Sequence, residues 1–212
     1  MPTVGFLHTS PVHVSTFAAL VAELAPSTNV VNVVAEDLLE IARASGVDDQ
    51  RVRDGVEVCL DELLDRGAEL VVSTCSTIGA VAESVGRRRR VQVVRVDRPM
   101  AEAAVGIGGR IVVLAALEST LQPTCELLRS VAADRGTAVD LDVSVVAGAW
   151  ALFEAGDRAG YLDVVADAIA SFAQGCDVIV LAQASMADAA RWVEVDIPVL
   201  NSPRSAVTAV LG

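Results

Sequence analysis

The chain has 212 residues, enough for one large α/β domain or two small lobes around a real core. Its formal net charge of −12 makes it a poor partner for nucleic acid or an anionic membrane, and a hydrophobic content of 53% excludes a disordered chain. All sixteen basic residues are arginine, which excludes pyridoxal-phosphate and Schiff-base aldolase chemistry and a Walker-type phosphate loop, since each needs a lysine.

The chain opens on Met1-Pro2-Thr3-Val4-Gly5-Phe6, with no basic stretch ahead of an apolar one and so no signal peptide. No apolar run approaches the roughly 18 residues that would span a bilayer. The cytoplasm is the expected location. Val4–His8 and Val30–Val34 read as the first two strands, with a helical pattern over Val14–Leu24 between them. A helix over Asp48–Arg66, a strand over Leu70–Thr74 and a further helical pattern after Cys75 follow. The run Arg87 to Arg90 reads as a solvated helix end, where cations suit the helix dipole. Val91–Val96 reads as a strand and Pro99–Val105 as a helix, with Pro99 in its first turn and Asp97 as its cap or, alternatively, as a group that orients a ligand. Gly106-Ile107-Gly108-Gly109 precedes a strand, so it is a turn and not a dinucleotide fingerprint. Strands are then expected over Ile111–Ala115, from Val139 to Val146, over Val178–Leu181 and over Ile197–Leu200, with helices over Leu121–Ala133 and Ala159–Ala173. These strands are near-continuous Val, Ile and Leu runs, the pattern of a mostly parallel sheet covered by helices on both faces.

Sliding the chain over itself by 108 positions lays Gly67-Ala-Glu-Leu-Val-Val-Ser-Thr-Cys75 on Gly175-Cys-Asp-Val-Ile-Val-Leu-Ala-Gln183. The same offset lays Val4–Leu7 on Val112–Ala115. The reading is a gapless duplication: two α/β lobes, the first formed by 1–98 with 203–212 and the second by 99–202. Open parallel sheets bind ligands beyond the carboxyl ends of their strands, so a cleft between the lobes is the expected site. The residues placed there are His8-Thr9-Ser10 and Thr74-Cys75-Ser76-Thr77 from one lobe, and Leu117-Glu118-Ser119-Thr120 and Gln183-Ala184-Ser185 from the other.

Cys75 is the candidate catalytic residue. It follows a strand and opens a helical pattern, where the dipole and free amides favour thiolate over thiol. Its hydroxyl neighbours, with Thr9, Ser10, Ser119 and Thr120, suit a carboxylate or a developing enolate, or simply cap helices. Cys59, Cys125 and Cys176 read as structural thiols. No CxxC pair exists and His8 and His13 are the only histidines, so no zinc site is expected. His8 reads as a hydrogen-bonded core residue, with a second possibility as base. His13 reads as a surface residue.

Taken together, the chain resembles the aspartate/glutamate racemase superfamily, which also holds hydantoin racemases, maleate isomerases and arylmalonate decarboxylases. The resemblance covers nearly the whole chain. It rests on Val4-Gly-Phe-Leu-His-Thr-Ser-Pro11, Thr74-Cys-Ser-Thr77, Val94-Arg-Val-Asp97, Arg110-Ile-Val-Val-Leu-Ala115 with Ser119-Thr120, and Asp177-Val-Ile-Val-Leu-Ala-Gln-Ala-Ser-Met186. It implies two Rossmann-like lobes with parallel sheets related by a pseudo-two-fold axis, a cofactor-free active-site cleft between them, and a homodimer or larger assembly. It also implies a thiol from each lobe, one removing and one returning the α-proton. The first maps onto Cys75 and the second onto Gln183, which has no useful acid–base pKa. A single thiol can protonate an enediolate left by decarboxylation, add to an activated double bond, or attack an acyl carbon. The family's decarboxylases keep their one cysteine at the second position instead. The expected function is therefore a PLP-independent racemase, isomerase or decarboxylase acting on a small carboxylate through Cys75. Thr9, Ser10, Thr74, Ser76, Thr77, Ser119, Thr120, Gln183, Ala184 and Ser185 would hold the substrate. The alternatives are a carboxylate-binding protein without turnover, or a thiol hydrolase if His8 reaches Cys75. An arginine near the cleft, Arg95 or Arg98, would favour a dicarboxylate.

Overall fold

The apolar runs become eight strands and the amphipathic segments nine α-helices in a computed structural model that describes residues 3–211. Those strands form two four-stranded sheets, parallel at every pairing. The first contains β1 (Thr3–His8), β2 (Asn29–Val34), β3 (Leu70–Ser73) and β4 (Val93–Arg95), in the order β2-β1-β3-β4. The second contains β5 (Arg110–Ala115), β6 (Asp140–Val145), β7 (Val178–Leu181) and β8 (Val199–Asn201), in the order β6-β5-β7-β8. One connectivity is thus used twice, in two Rossmann-like lobes. By internal contacts one unit runs to Val96 and resumes at Ala206, and the other is Asp97–Ser205.

In the first unit, alternate residues of β1 and β3 serve opposite faces, as a pleated strand requires. Leu7 and Val71 face Leu38, Val56, Leu60, Leu63, Ile78 and Val85, from α2 (Glu36–Ser45), α3 (Gln50–Asp65) and α4 (Ser76–Arg89). Val4, Phe6 and Val72 face Phe17 and Val21 of α1 (Val12–Leu24) together with Ala206 and Val207 of α9 (Ser202–Leu211). In the second unit, Ile111, Val113, Val178 and Val180 pack on α5 (Arg98–Ile107) and α6 (Glu118–Asp134). Val112, Leu114, Ile179 and Leu181 pack on α7 (Ala149–Glu154), α8 (Arg158–Phe172) and a 3₁₀ segment, Ala184–Arg191. Both faces of each sheet are buried, which accounts for the unbroken apolar strands.

The gapless duplication is corrected by one residue. β7 lies 108 positions after β3, but β5 lies 107 after β1. The pairing agrees: Thr74 N donates to Leu7 O, and Ala182 N donates to Leu114 O, each at 2.9 Å. A single-residue slip moves a strand's side chains to the opposite face. Here it passes unnoticed in the sequence because both faces of β1 and β5 are apolar. His8 and Thr9 therefore correspond to Ala115 and Ala116, while Cys75 still corresponds to Gln183.

Candidate active site

In the first unit, β1 and β3 are adjacent and Leu7 stands opposite Ser73. The segments that close these two central strands, His8-Thr9-Ser10 and Thr74-Cys75-Ser76-Thr77, lie together at the carboxyl end of the sheet. His8 and Thr74 turn inward and are buried. The Nδ1 of His8 lies 2.8 Å from Thr74 Oγ1, and its Nε2 lies 3.0 Å from Asn32 Oδ1. Burial holds the imidazole below its usual value, and the Asn32 hydrogen bond opposes the shift. The ring is neutral near pH 7, so one nitrogen donates and one accepts. Asn32 Oδ1 can only accept, so Nε2 donates to it, and Nδ1 shares the one Thr74 hydroxyl proton with Leu7 O, which stands 3.2 Å from the same Oγ1. Phe6 stacks on the ring at 5.9 Å. His8 is thus a core histidine with both nitrogens committed, and the His8–Cys75 pair that a thiol hydrolase needs is not formed.

Cys75 is the N-cap residue of α4, in extended conformation at φ −107° and ψ 115°. It is half-buried, with one side packed against the α3–α4 core, and Ser76 and Thr77 are exposed in the first helical turn. The thiol sits where the first backbone N–H groups of a 14-residue helix have no intrahelical partner. Gly79 lets this helix lie close on β4: a Cβ there would stand 2.8 Å from Arg95 Cβ. Thr9 is buried and Ser10 half-buried, and the N-cap of α1 is Pro11, so neither hydroxyl occupies that capping position. The other cysteines differ. Burial, with Asp37 and Glu62 nearby, pushes the Cys59 thiol up to about 11. Cys125 is buried in α6 and also shifted upward. The Cys176 thiol donates to Phe172 O at 3.3 Å and is raised, chiefly by burial.

Two expectations need correction. Asp97 occupies the N-cap position of α5, with Pro in the first turn, yet its side chain makes no capping hydrogen bond. Its carbonyl begins the helix instead, accepting from Ala101 N at 3.0 Å, and its carboxylate is buried. His13 is half-buried rather than fully on the surface, and burial lowers its basicity. Arg95 is buried against α4, with its backbone N–H directed at Glu83 Oε1.

In the second unit the chain leaves β5 through Ala116 and Leu117. Leu117 is the N-cap of α6, which places Thr120 inside the first turn rather than at the cap. Ser119 belongs to α6, and its side chain lies outside the described residues. Beyond β7, Gln183 is the N-cap of the 3₁₀ segment. Its Oε1 accepts from Ala116 N at 2.5 Å, tying together the ends of β5 and β7. Ala184 and Ser185 are half-buried. Ser185 Oγ lies 2.8 Å from the hydroxyl of Tyr161, a wholly buried residue of α8. Asn32, Ala116 and Tyr161 were not among the residues singled out from sequence. Tyr161 had one signal, as the chain's only tyrosine. The other two act through a strand position that becomes visible only once pairing is known.

A family model for Asp/Glu/hydantoin racemases matches residues 9–210, nearly the whole chain. The chain belongs to that family. Among solved structures it is similar to an aspartate racemase homologue from Pyrococcus horikoshii OT3, at 12% identity and a TM-score of 0.70 over 99% of this chain and 97% of that one. It is similar to a glutamate racemase isoform from Bacillus anthracis, at 15% identity and a TM-score of 0.65 over 99% and 80%. It is also similar to an arylmalonate decarboxylase, at 15% identity and a TM-score of 0.58 over 98% and 90%. At these identities the likeness is one of fold. No curated protein sequence matches the chain. Among the described residues, no helix is long and apolar enough to cross a membrane.

Proposed function

We propose that this racemase-family chain is a PLP-independent enzyme acting on a small carboxylate through one thiol, Cys75. The observation that carries this reading is the contrast between two equivalent strand ends. Cys75 is half-buried at the start of a full α-helix with exposed hydroxyls after it, whereas its counterpart is an amide tied to Ala116 N. A thiol beside unsatisfied helix N–H groups is suited to exchange a proton or to attack as thiolate. Thr74 is committed to His8, so Ser76 and Thr77 are the hydroxyls next to Cys75 best able to receive a ligand carboxylate. An amide neither removes nor returns a proton at neutral pH. The two-thiol racemisation implied by the family resemblance therefore gives way to chemistry with one proton carrier: isomerisation, or decarboxylation with protonation of the resulting enediolate.

The test is incubation of wild-type protein and Cys75→Ser with a panel of small mono- and dicarboxylates in heavy water, followed by NMR. Solvent deuterium entering one compound, or its consumption, in wild type only is the expected result. Binding of a carboxylate without exchange or consumption would replace the enzyme reading with that of a carboxylate-binding protein.

A further inference from the structure

We infer that Gln183 and Ser185, two residues apart on one short segment, each keep a hydrogen-bond donor available for a carboxylate, with Tyr161 as the positioning residue that aims Ser185. The inference rests on the carboxylate reading above and adds a carboxylate-binding element within the second unit.

Gln183 comes first. The oxygen and nitrogen of a side-chain amide are ordinarily told apart only by their partners. Here the partner decides, because the backbone N–H of Ala116 can only donate and the atom 2.5 Å from it must be oxygen. The NH₂ end is consequently turned away from Ala116, with two hydrogens to give. A residue that replaces a proton carrier thus presents donors alone.

Ser185 has a similar constraint. Tyr161 is wholly buried among Val165, Ile169, Leu181 and Met186, and a phenolic proton left without an acceptor there would be costly. Ser185 Oγ, at 2.8 Å, is its acceptor. The phenol is the stronger acid of the two hydroxyls, and burial keeps it protonated. It therefore donates to Ser185, and the Ser185 proton is free to turn toward a ligand. A hydroxyl that accepts one hydrogen bond donates a stronger one. Phe153 packs on the Tyr161 ring at 5.4 Å and Trp150 on Phe153 at 5.1 Å, which limits the ring's freedom.

Two available donors on one anchored segment suit an ionised carboxylate, which only accepts. They do not suit a cation or a neutral donor group. Ser185 precedes the buried Met186, whose N–H donates to Gln183 O at 3.0 Å, so the short segment carrying both donors is anchored at its far end.

The test is calorimetric titration of the intact protein with acetate, malonate, succinate and benzoate. Wild type should bind at least one of them. Gln183→Glu keeps the oxygen that accepts from Ala116 but replaces the donor with a second anionic oxygen, and should weaken that binding at least tenfold with little change in Tm. Tyr161→Phe keeps the ring and should weaken it several-fold. Ser185→Ala should weaken it too, and adding Tyr161→Phe to Ser185→Ala should cause little further loss, because the phenol acts through the serine. A merely structural role for Tyr161 predicts additive losses instead. The inference is overturned if no carboxylate binds to wild type, if Gln183→Glu binds as well as wild type, or if the Tyr161 and Ser185 losses add. Failure of the enzyme reading is seen separately: carboxylates would bind with this pattern of losses while wild type exchanges no deuterium and consumes none of them.

Discussion

Cys59, Cys75, Cys125 and Cys176 carry the same thiol in different surroundings, and their reactivities should separate accordingly. With a pKa of about 11, Cys59 is ionised in only about one molecule in a thousand near pH 8. It is also buried, as is Cys125. Iodoacetamide followed by peptide mass spectrometry should label Cys75 first. Equal labelling of Cys75 and Cys59 would remove the argument that Cys75 is the accessible thiol of the site. A second prediction concerns His8, whose folded pKa is depressed below the ordinary value of 6.5, mainly by burial. A histidine held neutral by the fold contributes stability above the unfolded value. That contribution is lost as pH falls from about 6.5 through the lowered folded value. Tm should fall between pH 7 and pH 5, and more steeply in wild type than in His8→Gln. His13 is shifted in the same direction by burial, so His8→Gln/His13→Gln should be flatter still. Identical slopes for wild type and both variants would refute the assignment.

At the level of elements, α4 shows which parts of the site were legible in the sequence. The strand before Cys75 and the helix after it followed from an apolar run and a change of period, and so did most of the other elements. What the sequence left hidden was tertiary. The 3₁₀ course of Ala184–Arg191 has no clear signature in a segment of mostly small residues, and the partners Asn32 and Ala116 depend on strand pairing. The capping role expected of Asp97 is not met: the residue is buried, its side chain makes no capping hydrogen bond, and its carbonyl begins the helix. The close approach of α4 to β4 makes a prediction of its own. In Gly79→Ala the new methyl would meet Arg95 Cβ, an atom next to the backbone that cannot swing aside. Overpacking of this kind costs about 1–3 kcal/mol, so thermal unfolding should occur at lower temperature. Because Cys75 sits at the start of the same helix, its alkylation rate should also change. An unaltered Tm would mean that the two elements separate without cost.

Across the whole molecule, the duplicated connectivity is joined in an uneven way. The chain leaves the first unit at Val96, builds all of the second, and returns at Ala206 to finish the first. Ala206 and Val207, near the end of the chain, are wholly buried against the side of the first sheet formed by Val4, Phe6 and Val72, near its beginning. The first unit therefore cannot complete its core until the last helix is in place, and α9 couples the two ends of the sequence. Truncating a buried aliphatic side chain costs the lost transfer energy and leaves a cavity. Val207→Ala should destabilise the first unit by on the order of 2 kcal/mol, and Val207→Asp should do more by placing a charge in an apolar layer. Amide hydrogen exchange can locate the effect. Faster exchange in β1 and β3, with β5 and β7 retaining more of their protection, is expected, because α9 covers the first sheet and α5 and α6 cover the corresponding face of the second. Loss of protection confined to α9 itself would show that the helix is an appendage, and that the first unit is stable without it.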